Sequence, residues 1–155
     1  MMTENVLANS DAFFSLLELE LKRGLRYQNF ISILVFEVNP SLMMGGSLSE
    51  ENLSKRMVSL LKTQIRDTDL IGPPSLSRTT AVLLYSDKQI ALKVAERLSS
   101  CMQDYFGRAP LGFGIACFPT HATDSKCLLR IANEMLEKSK AELWGSCFDY
   151  EKRRA

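Results

Sequence analysis

The stretch Phe30 to Val38 (FISILVFEV) limits the fold more than any other part of this chain. It is β-branched and aromatic, nearly continuous in its apolarity, and stopped by Asn39-Pro40. Such a run reads as a buried central strand, because an edge strand or a surface helix would leave much of it in water. Its far end carries two polar groups, Glu37 and Asn39.

The rest of the chain is organised around that strand. Upstream, Phe13, Phe14, Leu17, Leu21 and Leu25 fall at helical spacing between charged residues, so residues 10 to 27 form an amphipathic helix with Ser10 as its N-cap candidate. Downstream, residues 40–49 (PSLMMGGSLS) read as a loop. Leu53, Met57, Leu60, Leu61 and Ile65 then mark a second helix, ended by Arg66-Asp67-Thr68-Asp69. Leu70-Ile71 and Thr79 to Tyr85 are separated by Gly72-Pro73-Pro74-Ser75 and suggest a hairpin. Asp87 caps a helix running to about Tyr105, with Gly107 as its stop signal. Pro110 to Phe118 is the next strand, Asp124 or Ser125 opens a fourth helix through Lys140, and Cys147 to Tyr150 is a final edge strand.

The order αβαββαβαβ contains a β-α-β-β-α-β core. This is the split βαβ, ferredoxin-like arrangement: an α+β fold with a mostly antiparallel sheet and helices packed on one face. At 155 residues the chain fits one domain, 1–155, with residues 1–9 as a flexible N-terminus. Hydrophobic residues at 46% and charged residues at 24% are the proportions of a folded globular protein. Nineteen Lys and Arg against eighteen Asp and Glu give a net charge of +1, so no broad field is present to hold nucleic acid or an anionic membrane, and neither is expected as a partner. No apolar run approaches the roughly 20 residues of a membrane span, and no secretory signal opens the chain, so a cytoplasmic location is expected. Cys101, Cys117, Cys127 and Cys147 are scattered and His121 is the only histidine, a pattern of small buried cysteines rather than a metal site or a Cys–His nucleophile.

The words RYQNFISILVFEV, RDTDLI, AVLLYSD, VAERL and GFGIACFPTHATDSKCLLRIANEMLEKSK stand in this order along nearly the whole chain. In that order the sequence resembles the GGDEF domain family of diguanylate cyclases, whose palm-like fold joins two GTP molecules into cyclic di-GMP. The most specific part is 112–140, which is similar to the family's S-I-G-I-A strand, its Phe-Pro turn and the helix that follows.

Cyclase chemistry of this kind needs two carboxylates holding Mg²⁺ against the triphosphate, so that a 3′-hydroxyl attacks the α-phosphorus. By the resemblance, the first corresponds to Glu37, longer by one methylene than the usual Asp, and the next acidic position is Asn39. The signature hairpin falls in LIGPPSLSRTT, which contains no carboxylate. Its two glycines are replaced around Leu76 and Ser77, although Gly72 survives nearby, and the segment is one residue longer than usual. The guanine-reading residues fall in MMGGSLSEEN without a match. Lys140 corresponds to the family's phosphate-contacting lysine, but Trp144 replaces the arginine expected four residues later. Glu37, Asn39 and Lys140 are thus vestigial active-site positions, and the expectation is a non-enzyme with no bound metal and no cofactor.

The family also has a product-binding inhibitory site, an R-x-x-D word assisted by an arginine on the next helix. Arg66 and Asp69 fit the word and Arg97 the helper, so these three are the candidate ligand site for cyclic di-GMP. Guanidinium groups pair with phosphate oxygens or bond the guanine Hoogsteen edge, and a carboxylate accepts from guanine N1 and N2. The plainer alternative is that Arg66 and Asp69 only close a helix end and that Arg97 is a solvated helix residue. Two readings follow: a regulatory receptor for cyclic di-GMP, or a protein-interaction module that binds no nucleotide. A residual cyclase is the third. Twofold association is an expectation of the resemblance, since active relatives pair two half-sites.

Overall fold

The computed structural model describes residues 9–38, 50–73, 78–106, 111–142 and 147–149. Along the chain run α1 (Ser10–Tyr27), β1 (Ile31–Val38), α2 (Glu50–Lys62), β2 (Leu70–Ile71), β3 (Arg78–Leu84), α3 (Lys88–Phe106), β4 (Leu111–Phe118), α4 (Ser125–Glu142) and β5 (Cys147–Asp149). The order agrees with the pattern of the sequence, and most ends fall within two residues of it.

Local chemistry explains the boundaries. The N-cap of α1 is Asn9 rather than Ser10: its backbone is extended, and its Oδ1 accepts from the N–H groups of Asp11 at 2.7 Å and Ala12 at 3.2 Å. At the other end Gln28 turns left-handed (φ 59°) and donates its N–H to the Gly24 carbonyl. Asp87 and Asp124 cap the next two long helices, accepting from the N–H of Ile90 at 3.1 Å and of Cys127 at 2.9 Å. Helix α2 stops before Ile65, since the N–H groups of Thr63 and Gln64 bond back only three residues, to Leu60 and Leu61.

The sheet has the order β2-β3-β1-β4-β5. Strand β1 lies at its centre, antiparallel to β3 and β4; β2 is antiparallel to β3 and β5 parallel to β4. Alternate residues of β1 feed two separate cores. Leu34, Phe36 and Val38 meet Met57 and Leu61 of α2 and Val94 and Leu98 of α3. Ile31, Ile33 and Val35 meet Phe13, Leu17 and Leu21 of α1 and Leu128, Ile131 and Leu136 of α4. Helices therefore cover both faces, not one. The two helices inside the β-α-β-β-α-β core take one face, and α1 and α4, outside it, shield the other. The composition of β1 requires this, since each apolar side chain left in water would forfeit about 1.5–3 kcal/mol.

Helix α4 lies almost on the backbone of β4. A Cβ at Gly114 would come 1.9 Å from the Ala132 carbonyl oxygen and 2.5 Å from the Leu136 nitrogen, so only glycine admits the helix at this depth. Among the described residues no helix is long and apolar enough to cross a membrane.

Candidate functional site

At one end of the sheet, β1 finishes where β3 and β4 begin. The register places Glu37 opposite Arg78 on one side and opposite Gly112 on the other. Glu37 shares the face of Val35 and so points toward α4. Because Gly112 has no side chain, Lys140 of α4 crosses above it, its Cγ 3.2 Å from where a Cβ would stand.

These residues close into one network. Arg78 donates to Glu37 Oε1 from Nε at 3.0 Å and from Nη2 at 2.8 Å. Its Nη2 also reaches Glu137 Oε2 at 2.6 Å, and its Nη1 donates to Asn133 Oδ1 at 2.8 Å. Asn133 is held in turn by donating Nδ2 to the Leu129 carbonyl at 2.8 Å. Lys140 Nζ lies 3.0 Å from Glu37 Oε2 and 3.5 Å from Glu137 Oε2. Both oxygens of Glu37 are thus engaged by cations, and the Glu37 side chain is only 12% exposed. Two anions face two cations, so the cluster is neutral. Burial pulls the Arg78 guanidinium toward losing its proton, but the bonds to Glu37 and Glu137 outweigh it and hold Arg78 more firmly charged. The bond from Arg78 keeps the Glu137 carboxyl below its ordinary range, against a smaller opposing effect of burial.

Of the vestigial positions expected from the sequence, Glu37 and Lys140 come into direct contact. Asn39, residues 43–49, Leu76, Ser77 and Trp144 lie outside the described residues. Arg78, Asn133 and Glu137 were not singled out by sequence reasoning. Two signals were available: Arg78 is the only charged residue in LIGPPSLSRTT, and Glu137 stands one helical turn before Lys140.

The other candidate residues gather beyond the opposite end of β3. Asp69 is buried, and its carboxylate accepts from two backbone donors, the N–H of Arg66 at 2.9 Å and of Leu84 at 2.9 Å. It therefore ties the 66–69 turn to the last residue of β3. Burial raises its carboxyl above the ordinary range, although both bonds pull it down. Arg66 donates from Nη1 to the Leu84 carbonyl at 3.2 Å. Arg97 of α3 reaches the segment between α2 and that turn, donating from Nε to Gln64 Oε1 at 3.0 Å. It lines an open cleft of about 390 Å³ with Gln64, Lys93 and Ser100. Arg66 and Arg97 are both exposed.

His121 has a local structural part: its Nδ1 accepts the Cys117 N–H at 2.9 Å and its own N–H donates to the Cys117 carbonyl at 2.8 Å, closing the turn after β4. Cys117 is buried, and Cys101 and Cys127 are half-buried free thiols.

No protein-family model matches the sequence, and no curated protein matches it. Solved structures do match. The GGDEF domain of YfiN (TpbB) from Pseudomonas aeruginosa superposes with a TM-score of 0.81 at 19% identity, covering 94% of this chain and 98% of that one. The active GGEEF domain of a diguanylate cyclase from Vibrio cholerae gives 0.81 at 16% identity, covering 93% and 97%. The GGDEF domain of DgcB from Caulobacter crescentus, solved in complex with c-di-GMP, gives 0.78 at 11% identity, covering 96% and 92%. The strand order, the two helical layers and these superpositions agree: by fold, the chain is a GGDEF-like domain.

Proposed function

We propose that this chain is a non-catalytic regulatory domain that binds cyclic di-GMP at the end of the sheet where Arg66, Asp69 and Arg97 gather. The observation that carries the non-catalytic part is the capture of Glu37 by Arg78 and Lys140. A metal-dependent cyclase needs carboxylates free to take a cation. Here the one carboxylate at the expected strand position already has a guanidinium on one oxygen and an ammonium on the other. If Leu76 and Ser77 take the places of the two glycines, the acidic positions that follow in the family's word fall on Arg78 and Thr79, a cation and a buried hydroxyl. This donor set does not fit a divalent metal, which prefers several unpaired oxygens.

The ligand part draws support from two exposed guanidiniums, Arg66 in its turn and Arg97 bonded to Gln64 two residues before it, and from the Caulobacter GGDEF domain solved with c-di-GMP. Asp69 is taken up by backbone donors, so its part is to hold the turn that presents Arg66, and the arginines meet the phosphates. Calorimetric titration of the protein with cyclic di-GMP, repeated on Arg66→Ala, tests this reading. Saturable binding that is lost in a folded variant is the expected result; a variant that binds as well as the parent overturns it.

A second reading, a protein-docking module, is favoured by one observation. Leu25, Tyr27 and Phe30 stand 71%, 64% and 46% exposed around the end of α1. It predicts a partner whose binding is indifferent to Arg66→Ala and to added nucleotide.

A further inference from the structure

We infer that the cleft between the end of α1 and the end of β3 is a base-stacking subsite, in which Tyr27 and Tyr85 take a purine ring of the nucleotide whose phosphate meets Arg66. The inference rests on the nucleotide-binding reading above and adds residues outside the R-x-x-D word. The cleft measures about 250 Å³ and is lined by Glu20, Arg23, Asn29 and Leu84 together with the two tyrosines. It is smaller than the roughly 300–1,000 Å³ of a complete small-molecule site, a size suited to one base rather than a whole dinucleotide.

Three features point to a planar, anionic ligand. Tyr27 and Tyr85 leave 64% and 61% of their surfaces in solvent, although both belong to one cleft and each ring would gain from a flat partner. Tyr85 also holds a left-handed backbone (φ 54°), which a non-glycine residue adopts at a cost; this turn carries its ring out of the β3 ladder toward the cleft. Finally, the Arg66 guanidinium lies 3.2 Å from the carbonyl of Leu84, itself part of the cleft wall. Arg66 does not line the cleft itself, and Leu84 is the residue that links its guanidinium to the cleft wall.

The edges of the cleft have chemistry for a purine. Glu20 offers a carboxylate to ring and amino N–H donors, and Asn29 offers both a donor and an acceptor. Arg23 Nη1 donates to Glu20 Oε2 at 3.1 Å, which orients the carboxylate at the cleft edge. The Arg26 guanidinium stands 5.7 Å from the centroid of the Tyr27 ring, a cation–π contact that favours this placement of the ring.

Titration with cyclic di-GMP of Tyr27→Ala, Tyr85→Asn, Tyr27→Phe and Tyr85→Phe, beside the parent and Arg66→Ala, tests the subsite. Asparagine tolerates the left-handed backbone at position 85 while removing the ring. Each ring deletion is expected to weaken binding about tenfold or more, and each phenylalanine to restore it. If Tyr85→Asn fails to fold, as read by circular dichroism, the exposed Tyr27→Ala still decides. Ring deletions that bind like the parent, while Arg66→Ala does not, overturn the subsite and leave the receptor standing. A parent protein that binds no cyclic di-GMP overturns both.

Discussion

The guanidinium of Arg78 holds the carboxylate of Glu37 from the next strand, with Nε and Nη2 both within 3.0 Å of the same oxygen. The two residues are cross-strand partners on one face of the sheet, so the bond follows from the register of β1 and β3. Both are largely shielded, which lifts the pair above the near-zero worth of most surface ion pairs. A double-mutant cycle over Arg78→Ala and Glu37→Gln, measured by urea unfolding, is expected to give a coupling energy of about 1 kcal/mol. A coupling indistinguishable from zero would show that the contact contributes nothing.

Gly114→Ala should be the most damaging small substitution in the described part of the chain. The new methyl would meet the backbone of α4, which cannot yield without moving the helix and, with it, Glu137 and Lys140. A loss of about 4 kcal/mol or more, or failure to obtain folded protein, is expected. At Gly112 the nearest atom is the flexible Lys140 side chain at 3.2 Å, so Gly112→Ala should fold and mainly disturb the Lys140–Glu37 contact. Equal stability for Gly114→Ala and the parent would mean that α4 does not lie at this depth.

Asp69→Ala removes the acceptor of two backbone N–H groups at a buried position. Leaving such donors unpaired costs about 1–3 kcal/mol, and the loss should appear in the denaturation midpoint without ligand present. An unchanged midpoint, together with weakened cyclic di-GMP binding, would instead make Asp69 a ligand contact.

The acid limb of stability should depend on Glu137. Its folded-state carboxyl is held below the ordinary range by Arg78, so this bond contributes stability above the unfolded pKa and loses it as pH falls through the lower, folded value. Asp69 has the opposite sign: burial raises its folded value, so its contribution is greatest at low pH and is lost as pH rises through that raised value. Between about pH 5 and pH 3 the parent should therefore lose more stability than Glu137→Gln, read as melting temperature against pH. Parallel curves would remove Glu137 from the network in solution.

Much of the fold was legible because it depends on local signals. Continuous apolarity announced β1 as the central strand, and Asp87 and Asp124 capped the helices they precede. Ser10 misled because it is already helical: the extended capping backbone falls one residue earlier, at Asn9, whose Oδ1 takes the first free N–H groups. The covering of both faces was implicit in FISILVFEV, yet the motif of the core alone accounts for helices on one face only.

The site was less legible. Glu37 and Lys140 were visible as positions, but the partner that closes them is 41 residues from Glu37, and only the sheet register brings it across. Asp69 looked like a ligand group in a four-residue word. Its burial against the Leu84 N–H, 15 residues away, is a tertiary fact that no short pattern carries.

The most direct measurement is incubation of the purified protein with GTP and Mg²⁺ or Mn²⁺, with the products separated by chromatography. With Glu37 held by Arg78 and Lys140, no cyclic dinucleotide is expected with either metal. Formation of any cyclic dinucleotide above a no-protein control would contradict the closure of this corner and return the chain to the enzymes.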